Sequence, residues 1–358
     1  MIDFRYHLVS IIAVFLALAI GIVLGTTALN GPIESKLSRL EESARSAAES
    51  LRAQNSQLQQ QISNDQSYAQ ASAPLVLPQL LDGQSVVLVV APGAMPQVTS
   101  GVIAAVQQAG GVVTEQVDLQ PQLFDTSATT EHSLNALAQL VPPGTLVAGQ
   151  SPQPAANPQL YGQVEAGRVL AAAIVTNDGP ALSTTQSRAI LAGFAQGGFL
   201  QVSKPAVTPA TLAVVIMPAT PPTAGDSDPA NLALISITQQ LSAASRGAVL
   251  AGSYPGSGPG SAIDELASGN TGIEVSSVDN ANFETGQVFV VQALSKLLAG
   301  RKPASYGVAP GTVPSPAPTP SASLAPVPAS TRPASQDRAN PARSPSATPS
   351  PSVAAGAR

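Results

Sequence analysis

The chain has 358 residues, 44% of them apolar, which suffices for one sizeable buried core with room for appendages. Sixteen basic residues against 21 acidic give a net charge of −5 with no long run of one sign, which excludes the electrostatic footprint of a nucleic-acid-binding protein. Zero cysteines exclude disulfides, thiolate metal sites, cysteine nucleophiles and an acylated-cysteine anchor.

After a short N-terminal segment, residues 1–7, the stretch Leu8–Leu29 holds 22 residues without a charge. As a helix it spans roughly 33 Å, enough for a bilayer core of about 30 Å. Leu8, Ile12, Phe15, Leu18, Ile22 and Leu29 are the expected lipid-facing anchor residues. A cleaved signal peptide competes, because Arg5 precedes the run and Thr26-Thr27-Ala28 offers a weak small-residue site. The run exceeds the usual signal core of about 7 to 15 residues, which favours retention. Lys36, Arg39 and Arg45 follow the span, so a bare charge count would put the bulk inside. With so short an N-terminal flank and so long a downstream region, the expectation is the reverse: a single-pass protein of the cell (inner) membrane, N-terminus inside and the rest outside.

Gly31-Pro32 reads as a break. Beyond it, Ile33, Leu37, Leu40, Ala44, Ala47, Leu51 and Leu58 follow a four-three spacing, with Gln54 at the intervening seam position. That is a heptad pattern, predicting a coiled-coil stalk over 33–72 that associates with itself or with another envelope protein. A single amphipathic helix packed on its own domain is the alternative. Pro74 and Pro78 are expected to end it.

From 75 to 302 short apolar runs alternate with helical patterns. Strands are predicted at 85–91, 112–117, 145–148, 198–202, 212–217, 248–251 and 271–275, and helices at 97–109, 134–140, 159–173, 184–195, 231–244, 261–267 and 283–298. This alternation predicts an α/β fold, an open, mostly parallel, doubly wound (Rossmann-like) sheet covered on both faces. The remaining segment, 303–358, holds 13 of the 33 prolines among Ala, Ser and Thr, and reads as a disordered tail.

Loops beyond the carboxyl ends of such strands are where a ligand site belongs. The first, Ala91-Pro92-Gly93-Ala94-Met95-Pro96, fits no dinucleotide fingerprint. Gly252–Ser261 is richer in glycine and opens a helix, but Ser261 stands where GxGxxG requires glycine and no Lys-Ser/Thr follows. A Ser-His-Asp triad would have to use His132, since the other histidine, His7, lies beside the membrane, and no nucleophile-elbow motif is present. Asp226 and Asp228, Asp264 and Glu265, and Asp279 and Glu284 are scattered acids whose usual fate is solvation. Copper ligation would call on His and Met, of which only His7, His132, Met95 and Met217 exist beyond the initiator. The expectation is a non-catalytic domain with no identified cofactor.

Phe4-Arg5-Tyr6-His7-Leu8-Val9-Ser10 running into IIAVFLALAIGIVLG resembles the start of the mycobacterial copper transport protein B (MctB) family of actinobacterial envelopes. The later order is similar too, with Val278-Asp279-Asn280 before a closing helix and Tyr306-Gly307 after it. The resemblance covers roughly residues 1–307. It implies copper transport or homeostasis, copper as a ligand, and an outer-membrane location as the alternative to the inner membrane. Members of the family have also been viewed as non-enzymatic coiled-coil scaffolds that regulate cell-wall hydrolases at division, so two functional readings stand.

Overall fold

A computed structural model of the chain describes residues 4–139, 141, 161–177, 182–204, 208–220, 229–254, 256–269, 271–309 and 311–313, with the side chains of 4–5, 26–35, 37 and 38 excepted. The predicted strand at 145–148, the acids Asp226 and Asp228, and most of the expected tail lie outside the described residues. So do the side chains of Leu29, Ile33 and Leu37.

The first element is one helix, α1 (Phe4–Val76), of 73 residues. It does not break at Gly31-Pro32, contrary to the sequence expectation. Proline's fixed φ of about −65° is itself helical, so the residue costs one backbone hydrogen bond rather than the helix. Within α1, Tyr6–Gly25 is a 20-residue window of mean hydropathy 2.9 with none of it buried, long and apolar enough to cross a membrane. Pro74 sits inside the last turn, and the helix ends two residues later, before Leu77.

The globular part is a seven-stranded sheet in the order β3-β2-β1-β4-β5-β6-β7. Its strands are β1 (Ser85–Val90), β2 (Val112–Leu119), β3 (Leu200–Lys204), β4 (Leu212–Ile216), β5 (Ala248–Ala251), β6 (Ser276–Val278) and β7 (Ser305–Tyr306). All pairings are parallel except β2 with β3, so the sheet is mixed, with its one antiparallel strand at an edge. Parallel pairing forces each connection to cross over a face, which is why helices lie on both sides.

The helices are α2 (Pro96–Gln108), α3 (Ala128–Ala138), α4 (Tyr161–Ile174), α5 (Thr184–Gln196), α6 (Pro229–Ala244), α7 (Ala262–Ala267) and α8 (Glu284–Leu298), with a 3₁₀ turn at Pro121–Phe124. Side chains alternate across the central strands and divide the core into two halves. Val87, Val89, Ala213, Val215 and Leu250 face the half built with α4, α5 and α6. Val86, Leu88, Val214, Ile216 and Val249 face the other, built with α2, α8, the end of α1 through Ala73, and Leu77 just after it. The long helix therefore passes directly into the domain core.

One predicted strand is displaced. Residues 272–275 are not strand, and β6 is the next three residues, Ser276-Ser277-Val278. Gly272 takes a left-handed φ of +63°, which interrupts extended pairing. The two buried serines are instead held by the neighbouring edge: Ser277 Oγ donates to Ser305 Oγ at 2.9 Å and Ala304 N donates to Ser276 Oγ at 3.3 Å. The sheet thus extends to Tyr306, past Lys302.

Candidate functional site at the carboxyl edge of the sheet

The order of strands reverses between β1 and β4, the position where doubly wound sheets open a ligand crevice. Here the two loops bond to each other: Ala91 N donates to Ile216 O at 2.9 Å and Ala219 N donates to Gly93 O at 3.0 Å.

The glycine-rich loop after β5 is also self-satisfied. Gly252 N donates to Val278 O and Ala281 N to Gly252 O, both at 2.7 Å. Tyr254 and Asn282 exchange two bonds, Tyr254 N to Asn282 Oδ1 at 2.9 Å and Asn282 Nδ2 to Tyr254 O at 3.2 Å. Ser257 Oγ donates to Asp279 O. Ser261 caps α7 by accepting from Asp264 N at 3.2 Å, while Asp264 Oδ2 accepts from Gly260 N at 2.9 Å. Gly256 is required by space, because a Cβ there would lie 2.1 Å from Ala219 O. A phosphate cradle needs free N–H groups at a helix start. In this loop Gly260 N, Ser261 N and Asp264 N already have acceptors within the chain, and α7 has only six residues.

The most strongly built feature is the fully buried Asp279, just past β6. Its carboxylate accepts from Val308 N at 2.9 and 3.0 Å and from Ala309 N at 2.6 Å, while its own N–H donates to Tyr306 O at 3.1 Å. Gly307 sits at φ +139°, and a Cβ on it would come within 1.8 Å of Asp279 Oδ1. The two stretches that carry the family resemblance late in the chain are thus one device: a buried carboxylate clamping the segment that follows β7. Neighbouring Asn280 is also buried, with Oδ1 free of any bond, and its backbone oxygen lies so near Gly286 that α8 can start there only with glycine. Sequence reasoning treated Asp279 as a scattered acid. The signal available was its flanking by Val278 and Ala281 in a buried run; its partners lie 29 and 30 residues away.

The soft ligands are not brought together. Met217 is buried in the half-core of α4 to α7, whereas Met95 is half-exposed ahead of α2 on the opposite face. His132 is exposed on α3 and His7 lies on the apolar helix. Among the described residues, no three His, Cys, Asp or Glu side chains are grouped to hold a metal ion. Asp264 and Glu265 both belong to α7, where Asn231 Nδ2 donates to Glu265 Oε1 at 3.1 Å. Asp125 is held below the usual carboxylate range, first by the Ser127 hydroxyl (2.8 Å), then by Ser127 N (3.1 Å) and the Thr130 hydroxyl (2.9 Å). It organises the start of α3, where Ser127 is also the N-cap. Burial raises the Tyr306 phenol above its ordinary value, and Lys296 Nζ lies 5.7 Å from the centre of that ring.

The anchor and seam residues are presented differently. Leu8, Ile12, Phe15, Leu18 and Ile22 are all exposed, and Leu40, Leu51 and Leu58 are 66%, 65% and 57% exposed, with Ala44 and Ala47 open beside them.

The family model described as copper transport outer membrane protein, MctB, matches residues 1–316. Relatives named copper transporter MctB from Mycobacterium tuberculosis (H37Rv) and Mycobacterium bovis are each 26% identical over 319 residues, covering 87% of this chain and 98% of theirs. The relative of that name from Mycobacterium leprae is 27% identical over 321 residues, with the same coverage.

Proposed function

This chain belongs to the MctB family of copper transport proteins, and from that membership we propose that it is a membrane-tethered component of copper homeostasis in an actinobacterial envelope. Copper is its cargo or signal and not a resident cofactor. The helix Tyr6–Gly25 anchors it in the cell membrane as a single span, with the N-terminus inside and the stalk and α/β domain outside. Tyr6 at one end of the span suits the headgroup level, where aromatic side chains are favoured.

The observation that carries this reading is the contrast between one apolar, fully exposed helix and a domain whose described loops at the expected ligand edge bond to one another. One helix does not line a channel, and the open sheet, with helices on both faces, is not a barrel wall. The chain therefore acts on copper by holding a folded domain at the membrane beside other components, without itself forming the path. The scattered Met and His side chains support the same division of labour, since Cu(I) needs several soft donors at one point.

The test is cell-associated copper, measured by elemental analysis of cells grown in added copper, with the chain deleted and then restored as the full chain or without residues 6–25. The full chain is expected to restore the copper content and the anchorless chain to fail. Copper content unaffected by the deletion would overturn the reading. Metal analysis of the purified full chain in detergent adds a second arm. Tight, stoichiometric copper would overturn the accessory role and put a transport site in the chain itself.

A further inference from the structure

We infer that the exposed stripe on the stalk is covered by a second copy of this chain, in a parallel, in-register, two-stranded coiled coil over about residues 33–58. The inference rests on the tethered reading above and names the stalk's partner. Seam leucines at 40, 51 and 58 lie open along one face, with Ala44 and Ala47 narrow enough between them for close approach of two helices.

The flanking charges select the partner. With Leu37, Ala44, Leu51 and Leu58 at a and Leu40 and Ala47 at d, Lys36 is a g position and Glu41 the next e position. In a parallel pair without stagger, g of one helix meets the following e of the other, five residues on. Lys36 therefore faces Glu41 of the second copy, twice per pair, joining Arg45, whose Nη2 meets Glu41 Oε1 at 2.7 Å within each exposed helix. Of the remaining flanks only Glu34, an e position at the very start of the coil, is charged; Ser43, Ala48, Ser50, Asn55 and Gln57 are not, so no like charges oppose. An antiparallel pair would set the Lys36 end against the Gln57 end and form no ion pair.

Gln54, in the seam, meets its own copy, and a primary amide is both donor and acceptor, so the layer is self-complementary. The anchor adds the geometry: every copy starts its stalk from the same span, so two stalks on one membrane rise side by side at the same height.

The structure also bounds the coil. About three turns beyond Leu58, and within about 20° of the same line along the helix, lies Ala69, which is buried. The face that serves the second copy near the membrane serves the domain at its far end, so the coil ends between Leu58 and Ala69.

Cysteine crosslinking in membranes tests this, helped by the chain having no cysteine of its own. The full chain carrying Ala47→Cys or Leu51→Cys is oxidised, with Glu49→Cys on the outer face as control. A covalent dimer is expected from the first two and not from the third, because only seam positions bring two Cβ atoms within disulfide reach. Copies carrying Ala47→Cys and Leu58→Cys, mixed, are expected to give no mixed dimer. Lys36→Glu is expected to lower the Leu51→Cys yield several-fold, and Glu41→Lys added to it to restore the yield. Absent dimers at 47 and 51, equal yield at 49, a strong mixed 47–58 product, or no rescue by the charge swap would each overturn the inference. None of these readouts involves copper, so their failure leaves the copper reading standing, and unchanged copper content leaves the crosslinks standing.

Discussion

The long helix and the α/β domain use the same amino acids in opposite ways. In the domain, leucine and valine vanish into two half-cores, and a buried carboxylate binds two backbone N–H groups of its own chain. Along α1, leucine, isoleucine and phenylalanine stand in the open between Leu8 and Leu24, as do Leu40, Leu51, Leu58 and Ile62. On the readings proposed above, the partner of these open side chains is the bilayer for the first stretch and another helix for the second. At the expected ligand edge the described loops of the domain bond to one another, whereas the helix leaves its apolar side chains open.

The comparison breaks most visibly at the anchor. Removing residues 6–25 is expected to move the chain wholly from the membrane to the soluble fraction on sedimentation, while its far-ultraviolet dichroism per remaining residue stays that of a folded α/β protein. Next in size is Gly307→Val, which drives a side chain into Asp279 and costs about 3 kcal/mol or more in chemical denaturation. Asp279→Ala, which removes the acceptor of two part-buried N–H groups, is expected to cost about 1–3 kcal/mol. Leu88→Ala belongs with these at about 2–5 kcal/mol, whereas Leu51→Ala should change domain stability by less than about 0.5 kcal/mol. Equal effects at 88 and 51 would erase the distinction between the two regions. Ser183→Ala, which removes a capping box at α5, is expected to cost about 1 kcal/mol.

The smallest effect is a titration. With its folded value depressed, Asp125 adds stability that is fully present above its unfolded value near 3.8 and is lost as the pH falls through the folded value. Carbon-detected NMR should place its midpoint below 3.8, and Ser127→Ala should move it back up. Tyr306 works in the other direction: its folded value is raised, so its contribution is present below 10.0 and is lost as the pH climbs through the folded value.

The elements that sequence reading located well were those whose periodicity is driven by burial. β1, β4 and β5 are continuous apolar runs because both faces of the sheet are covered, and α2, α5 and α8 fall within a residue or two of their expected bounds. β6 was misplaced because its buried residues are serines, whose burial depends on hydrogen bonds to an edge nearly thirty residues later. β7, two residues long, has no periodicity to read. The antiparallel sense of β3 is a property of the connection and leaves no local mark on Leu200–Lys204. At the carboxyl edge the relevant glycines and Asp279 were visible as letters. Their roles depend on contacts between segments distant in sequence, which no window of neighbouring residues contains.

That α1 runs unbroken from the span into the core has a geometric corollary. At about 1.5 Å per residue its 73 residues reach about 110 Å, and a helix without a break offers no swivel along the way. The azimuth of the domain about the membrane normal is then set by residue count. Inserting one residue after Gln59 would rotate the carboxyl edge by about 100° relative to the anchor, and inserting seven would bring it nearly back, about 10 Å farther out. Phase, more than reach, is what the length of this rod encodes.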